Sequence, residues 1–267
     1  MSDFAASTVR IRAVMQRHMV VLRRSPHRWF EISFWPAMDV VLWGSLGVFV
    51  AKQASRSQAS TPYLLAGITM FWIFTQAQFA IALGVNEETW TRNILNVLTT
   101  PISELEYFAG IALFGLLKLA LCIGTLTIAT ATLFNFDISQ VGWSAVPVAL
   151  LLVVNGWALG LIGVGLVLRF GQSAEILIWG VNYAVLSFSG VFFPSSALPK
   201  GIEIVSRQLP TTKLFATVRQ QLDGSHFSWS SLGFAAMGSV LFLLLAGAFS
   251  FRLLGVFRRR GFVTRYS

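Results

Sequence analysis

The stretch Asn86–Pro101 reads N-E-E-T-W-T-R-N-I-L-N-V-L-T-T-P and lies between two long apolar runs, Tyr63–Val85 and Leu105–Phe134. At about 100° per residue, Trp90, Ile94, Val97 and Leu98 share one helical face, while Glu87, Glu88, Thr91 and Asn96 turn away from it. Pro101 ends the segment, because proline cannot continue the helical hydrogen-bond ladder. A helix this short and polar can lie on a membrane surface but cannot cross one. Periodicity alone leaves two readings open: a plain interfacial helix, or a docking surface through which a soluble partner drives the apolar runs on either side.

Those runs decide the fold class. The chain has 267 residues, 55% hydrophobic and 12% charged, against about a quarter charged in an ordinary soluble domain. Apolar runs of about 20 residues match a hydrocarbon core of roughly 30 Å. They are continuous rather than alternating, which excludes a barrel and leaves an all-α polytopic membrane protein. The spans are read at 29–51, 63–85, 105–134, 143–168, 174–193 and 232–254, about six in one transmembrane domain over 1–267. Pro36 sits in the early turns of the first, where it can kink the helix.

Two further segments are neither spans nor simple loops. Residues 4–28 carry a basic amphipathic helix. Ile11, Val14, Met15, His18, Met19, Val21 and Leu22 form one arc, bordered by Arg10, Arg17 and Arg24 on one side and by Arg12 and Arg23 on the other. That is the pattern of a helix in the headgroup layer with arginine stems snorkelling, and it serves equally for packing on the protein's own flank. Residues 194–230 are punctuated by Pro194, Pro199 and Pro210. Ile202, Val205 and Leu209, then Leu214, Val218 and Leu222, have helical spacing. Two short outer helices follow, a re-entrant hairpin before the last span, with Thr211 or Thr212 available to cap the second.

The net charge of +9 comes from arginines beside the spans, which set orientation and meet anionic lipid rather than nucleic acid. The arginine-rich arm and the Arg258–Arg260 tail place both termini in the cytoplasm and require an even number of spans. Lys52, Arg56, Lys200, Arg207, Lys213 and Arg219 oppose this, the last four in the structured outer segment where the short-loop rule is weak. Cys122 is the single cysteine, so no disulfide forms within the chain. His18, His27 and His226 have no ligand spacing, and no metal site is expected.

Asp39 and Lys118 lie at comparable depths in the first and third spans. A charge there costs about 2.5–3.5 kcal/mol on insertion scales, which suggests an interspan ion pair; the alternatives are a snorkelling Lys118 and a local polar contact for Asp39. Gln76, Gln78, Asn155 and Asn182 read as interhelical hydrogen-bonding groups before substrate contacts. Glu31 and Glu175 sit at span mouths.

The order of these features resembles the membrane subunit of an ABC exporter, the type-2 permease family, over nearly the whole chain. The resemblance rests on the N-terminal interfacial helix and on Glu87–Glu88 opening a cytoplasmic helix. It rests also on T-P-I-S at Thr100–Ser103 with Gly110 following, on G-V-F-F-P-S-S-A-L-P at Gly190–Pro199, and on L-P-T-T at Leu209–Thr212 with Arg219. It implies a dimer of permeases joined to two ATP-binding subunits, which hold ATP and Mg, in a bacterial or archaeal inner membrane. Asn86–Pro101 would be the coupling helix: Glu87, Glu88 and Arg92 would contact the ATPase, and Trp90, Ile94 and Leu98 would pack beneath. The second and fifth spans would line the path, making Phe71, Phe74, Phe79, Phe192 and Phe193 candidates. Consistent with an ATP site on another chain, none of the four lysines, Lys52, Lys118, Lys200 and Lys213, follows a glycine as a P-loop requires. The competing functions are a secondary transporter or channel, where matching broken spans are usual, and a membrane-embedded lipid-modifying enzyme, which would need convergent carboxylates, His or Cys.

Overall fold

The computed structural model describes residues 3–53, 60–90, 96, 99–224 and 227–260. They form helices α1 (Asp3–Arg23), α2 (Pro26–Gln53), α3 (Ser60–Trp90), α4 (Glu104–Phe134), α5 (Ala145–Phe170), α6 (Glu175–Phe188), α7 (Lys200–Gln208), α8 (Pro210–Leu222) and α9 (Trp229–Arg260). No strand occurs among the described residues. Five helices, α2, α3, α4, α5 and α9, are long and apolar enough to cross a membrane.

The expected fifth span is shorter than its apolar run. Helix α6 has 14 residues, about 21 Å of rise, which falls short of a hydrocarbon core of roughly 30 Å. A 3-10 turn at Gln172–Ala174 precedes it, and Gly190 ends the run with φ +64°, a left-handed conformation that suits glycine. The chain then turns through Pro194 into α7 and α8.

Helix α3 is the axis of the bundle: 83% of its most apolar window is buried, against 22% for α2 and for α9. Against it pack α2, α4 and, most extensively, α5. The closeness of α5 has a cause in sequence. Gly156 and Gly160 face α3, and a Cβ at Gly156 would meet the Phe74 carbonyl oxygen at 2.5 Å and one at Gly160 the Gln78 carbonyl oxygen at 2.8 Å. In lipid, where apolar contact alone drives little association, such small residues let backbones approach.

Residues 200–222 form two short helices, α7 and α8, and neither of the expected threonine caps is used. Helix α8 begins with Pro210 at its first position and Leu209 as the cap, so neither Thr211 nor Thr212 caps it. Proline fits N1 because the N–H it lacks has no helical partner there. The two threonines turn inward: the Thr212 hydroxyl donates to the Ser206 carbonyl at 2.6 Å, and the Thr211 and Ser189 hydroxyls are 2.6 Å apart. Leu214 and Val218 are buried, whereas Ile202 and Val205 of α7 face outward.

Candidate functional site: the charged end of the bundle

Helix α3 does not stop at Val85. It continues through Trp90, so Asn86–Trp90 extend the span helix instead of opening a separate one. Continuity fixes the phase of the acidic pair. Ile81 and Val85 pack with Val14 of α1 and with Tyr107 and Ile111 of α4, and Glu88 adds one turn to that stripe. Glu88 therefore points into the protein and is buried, not turned to solvent as its polarity suggests.

Burial is possible because arginines of the N-terminal arm reach it. Arg17 Nη2 donates to Glu88 Oε2 at 2.8 Å, and Arg28 Nη2 lies 2.7 Å from Glu87 Oε2. At the start of α4, Arg10 grips Glu106 with both arms of its guanidinium, at 2.9 and 2.7 Å. Glu106 is also half of a capping box: its carboxylate accepts from the Ser103 N–H at 2.9 Å while the Ser103 hydroxyl accepts from the Glu106 N–H at 3.3 Å. The T-P-I-S run thus ends in a helix cap that presents a carboxylate to α1. Helix α1 can close on α4 because Gly110 faces it; a Cβ there would lie 2.6 Å from that of Val14.

His18 is buried in the same contact, its ring stacked 5.4 Å from that of Phe114, and its Nε2 has no hydrogen-bond partner. Burial, with the positive charges of Arg17, Arg28 and Lys118 against the opposing pull of Glu88, lowers its pKa from 6.5 to about 4. It is neutral at pH 7.

The other expected residues are placed as follows. Trp90 ends α3; its side chain and residues Arg92, Ile94 and Leu98 lie outside the described residues. Asn96 is helical, and Thr99–Pro101 form a turn and bend. Asp39 and Lys118 do not pair. Trp72 Nε1 donates to Asp39 Oδ2 at 2.9 Å, and Asp39 has no ion pair among the described residues. Lys118 is partly buried and makes no ion pair among the described residues.

Asn182 donates to Thr75 at 3.1 Å and to Gln78 at 2.9 Å, and Gln78 donates to the Ile178 carbonyl at 3.1 Å, a polar seam between α3 and α6. Asn86 continues it by donating to Glu175 at 3.0 Å. Asn155 donates to Ser239 of α9 at 2.7 Å. Phe71, Phe74 and Phe79 are buried in the core of the single chain and line no open surface; Phe192 stacks on Trp43, and Phe193 is exposed. The inward arginine–carboxylate pairs escape a sequence reading that treats the arginines as lipid-facing. One signal was present: Arg10 and Arg17 are seven residues apart, on one side of α1.

Five apolar helices with α3 buried among them, and the α1 arm clamped at one end of the bundle, define an integral membrane protein of the polytopic helical class. The model of the ABC-2 type transporter family matches residues 9–222, which covers most of α1, the arginine–carboxylate pairs and the α7–α8 hairpin. The chain belongs to that family and is the transmembrane component of an ABC-type transporter, which partners an ATP-binding subunit. No curated protein matches it.

Proposed function

We propose that the chain is the membrane-spanning half of an ATP-driven exporter. Two copies enclose the path, and two ATP-binding subunits, carrying ATP and Mg, dock beneath the segment from Asn86 to Pro101. In this reading α6 and the outer hairpin complete the sixth crossing, both termini face the cytoplasm, and the membrane is the plasma membrane of a bacterial or archaeal cell.

The observation that carries the reading is the placement of the arginine–carboxylate pairs. Arg17–Glu88 and Arg28–Glu87 hold the α3 side of the Asn86–Pro101 segment, and Arg10–Glu106 holds its α4 side. A push on the segment from a soluble partner is then delivered to α1, α2, α3 and α4 together. Glu87 and Glu88 act as anchors for the arm, and contact with the ATPase falls to Trp90, Arg92, Ile94 and Leu98.

The test is copurification. With Trp90, Arg92, Ile94 and Leu98 changed to Ala, the chain should reach the membrane at normal levels, because the apolar length of its spans is unchanged, but recover little ATPase and lose transport. Normal ATPase recovery together with normal export would remove the coupling role from this segment.

A further inference from the structure

Asp39 has no structural need to be charged. It lies 13 residues after Pro26 in α2, a rise of about 20 Å, near the middle of a membrane-spanning helix. It is half-buried, and its hydrogen bond is one indole N–H, from Trp72. A carboxylate offers about four lone-pair sites, so this bond leaves most of its capacity unserved, and no lysine, arginine or histidine pairs with it among the described residues. Asparagine would accept the same indole bond without the cost of a charge in the membrane. Ionisable groups kept at such depth face the bundle interior or a wet path and mark what passes along it.

The surroundings indicate what that is. Trp43 lies one turn beyond Asp39 on the same side of α2, and its ring stacks on Phe192 with centroids 3.6 Å apart. Trp43, Trp72 and Phe192 are all partly buried and pack on one core cluster. A single anionic group beside indole and phenyl rings, within an apolar wall, is complementary to a cation with an apolar body: the carboxylate meets the charge, and the rings add cation–π attraction and apolar contact. We propose that Asp39, with Trp72 and Trp43, forms an intramembrane recognition site for lipophilic organic cations. The proposal rests on the exporter reading and narrows the substrate class to cationic amphiphiles.

The experiment measures equilibrium binding of radiolabelled tetraphenylphosphonium to the full-length chain, purified with the ATPase it retains, in phosphatidylcholine nanodiscs. Triphenylphosphine oxide serves as the uncharged competitor. Saturable binding by the parent is expected, at least tenfold weaker in Asp39→Asn, partly kept in Asp39→Glu, several-fold weaker in Trp43→Leu and unchanged in the outward-facing control Phe49→Leu. Asp39→Asn keeps an acceptor for Trp72, and thermal unfolding checks its fold; Trp43→Leu, which leaves the carboxylate in place, gives a second reading. Absence of saturable binding by the parent, parent-like binding by Asp39→Asn, or equal displacement by the uncharged competitor overturns the proposal. Loss of the proposal with the ATPase still bound leaves the exporter reading intact. Asp39-dependent binding by a chain that retains no ATPase overturns the exporter reading and keeps the site.

Discussion

Arg17 of α1 reaches across to Glu88 of α3, 71 positions along the chain, and holds a carboxylate only 6% exposed at 2.8 Å. Burying a carboxylate is costly unless a partner and hydrogen bonds compensate, so the damage from breaking such a pair exceeds the net worth of keeping it. Arg17→Gln should therefore destabilise the protein in detergent by an amount approaching the roughly 3–5 kcal/mol of a fully buried pair, and less in proportion as Arg17 is 43% exposed. Adding Glu88→Gln to Arg17→Gln should restore much of the loss. Additive losses in this double-mutant cycle would mean that the two side chains do not interact in solution.

The glycines of α5 make a stricter demand. Gly156→Leu puts a side chain where the Phe74 carbonyl oxygen would be 2.5 Å from Cβ, and backbone yields less readily than a side-chain tip. Overpacking of this kind costs about 1–3 kcal/mol and more where backbone must move. The variant should insert but show a lowered melting temperature, whereas Gly124→Leu, where a Cβ has nothing within 4 Å, should melt like the parent. Equal melting of the two variants would show that α3 and α5 are not in close contact.

The sequence disclosed the five long apolar helices because such runs have few physical alternatives, but the run at 174–193 holds a helix of only 14 residues. The short helices after Pro199 and from Pro210 were legible because proline leaves a helix few places to begin. It was less informative wherever a polar side chain had two possible partners. Glu88 looked solvent-facing as part of a short separate helix and became buried once α3 ran through Asn86. Its partner lies in an element 71 residues away, and no local periodicity encodes that pairing. Asp39 and Lys118 were matched by depth along their helices, yet depth does not fix which way a side chain faces, and Asp39 is bonded by Trp72 instead. The contact face of Gly156 and Gly160 emerged only from the structure, although the two stand at small-x-x-x-small spacing.

At the turn after α6, Arg219 donates to the carbonyl of Gly190, itself at φ +64°. A cation at that position complements the negative end of the α6 dipole. Gly190→Ala would be strained, about 1–2 kcal/mol for an L-residue in the left-handed region, and its Cβ would meet the Phe193 carbonyl oxygen at 2.8 Å. Both Gly190→Ala and Arg219→Gln should loosen the turn and speed tryptic cleavage after the exposed Lys200. Parent-like cleavage in both variants would show that neither contact holds the hairpin.

The docking of α1 should depend on pH through His18. Above pH 6.5 its imidazole is neutral in the folded and the unfolded chain alike, and the full stability is present. As pH falls from 6.5 toward 4, the unfolded chain takes up a proton that the folded chain refuses, because burial and three neighbouring cations hold the folded pKa near 4. Stability therefore falls with falling pH across that window, by about 3 kcal/mol in total at the lower end. Below pH 4 both forms are protonated and His18 contributes no further slope. Replacing the ring by one that packs on Phe114 without titrating, as in His18→Phe, should flatten the profile between pH 6.5 and 4.5 while leaving stability at pH 7.5 within the range of a near-isosteric core exchange, about 1.5 kcal/mol. The measurement is the melting temperature of parent and variant in detergent at half-unit pH steps. Parallel profiles for the two would place the acid sensitivity elsewhere and show that His18 is not buried as a neutral ring.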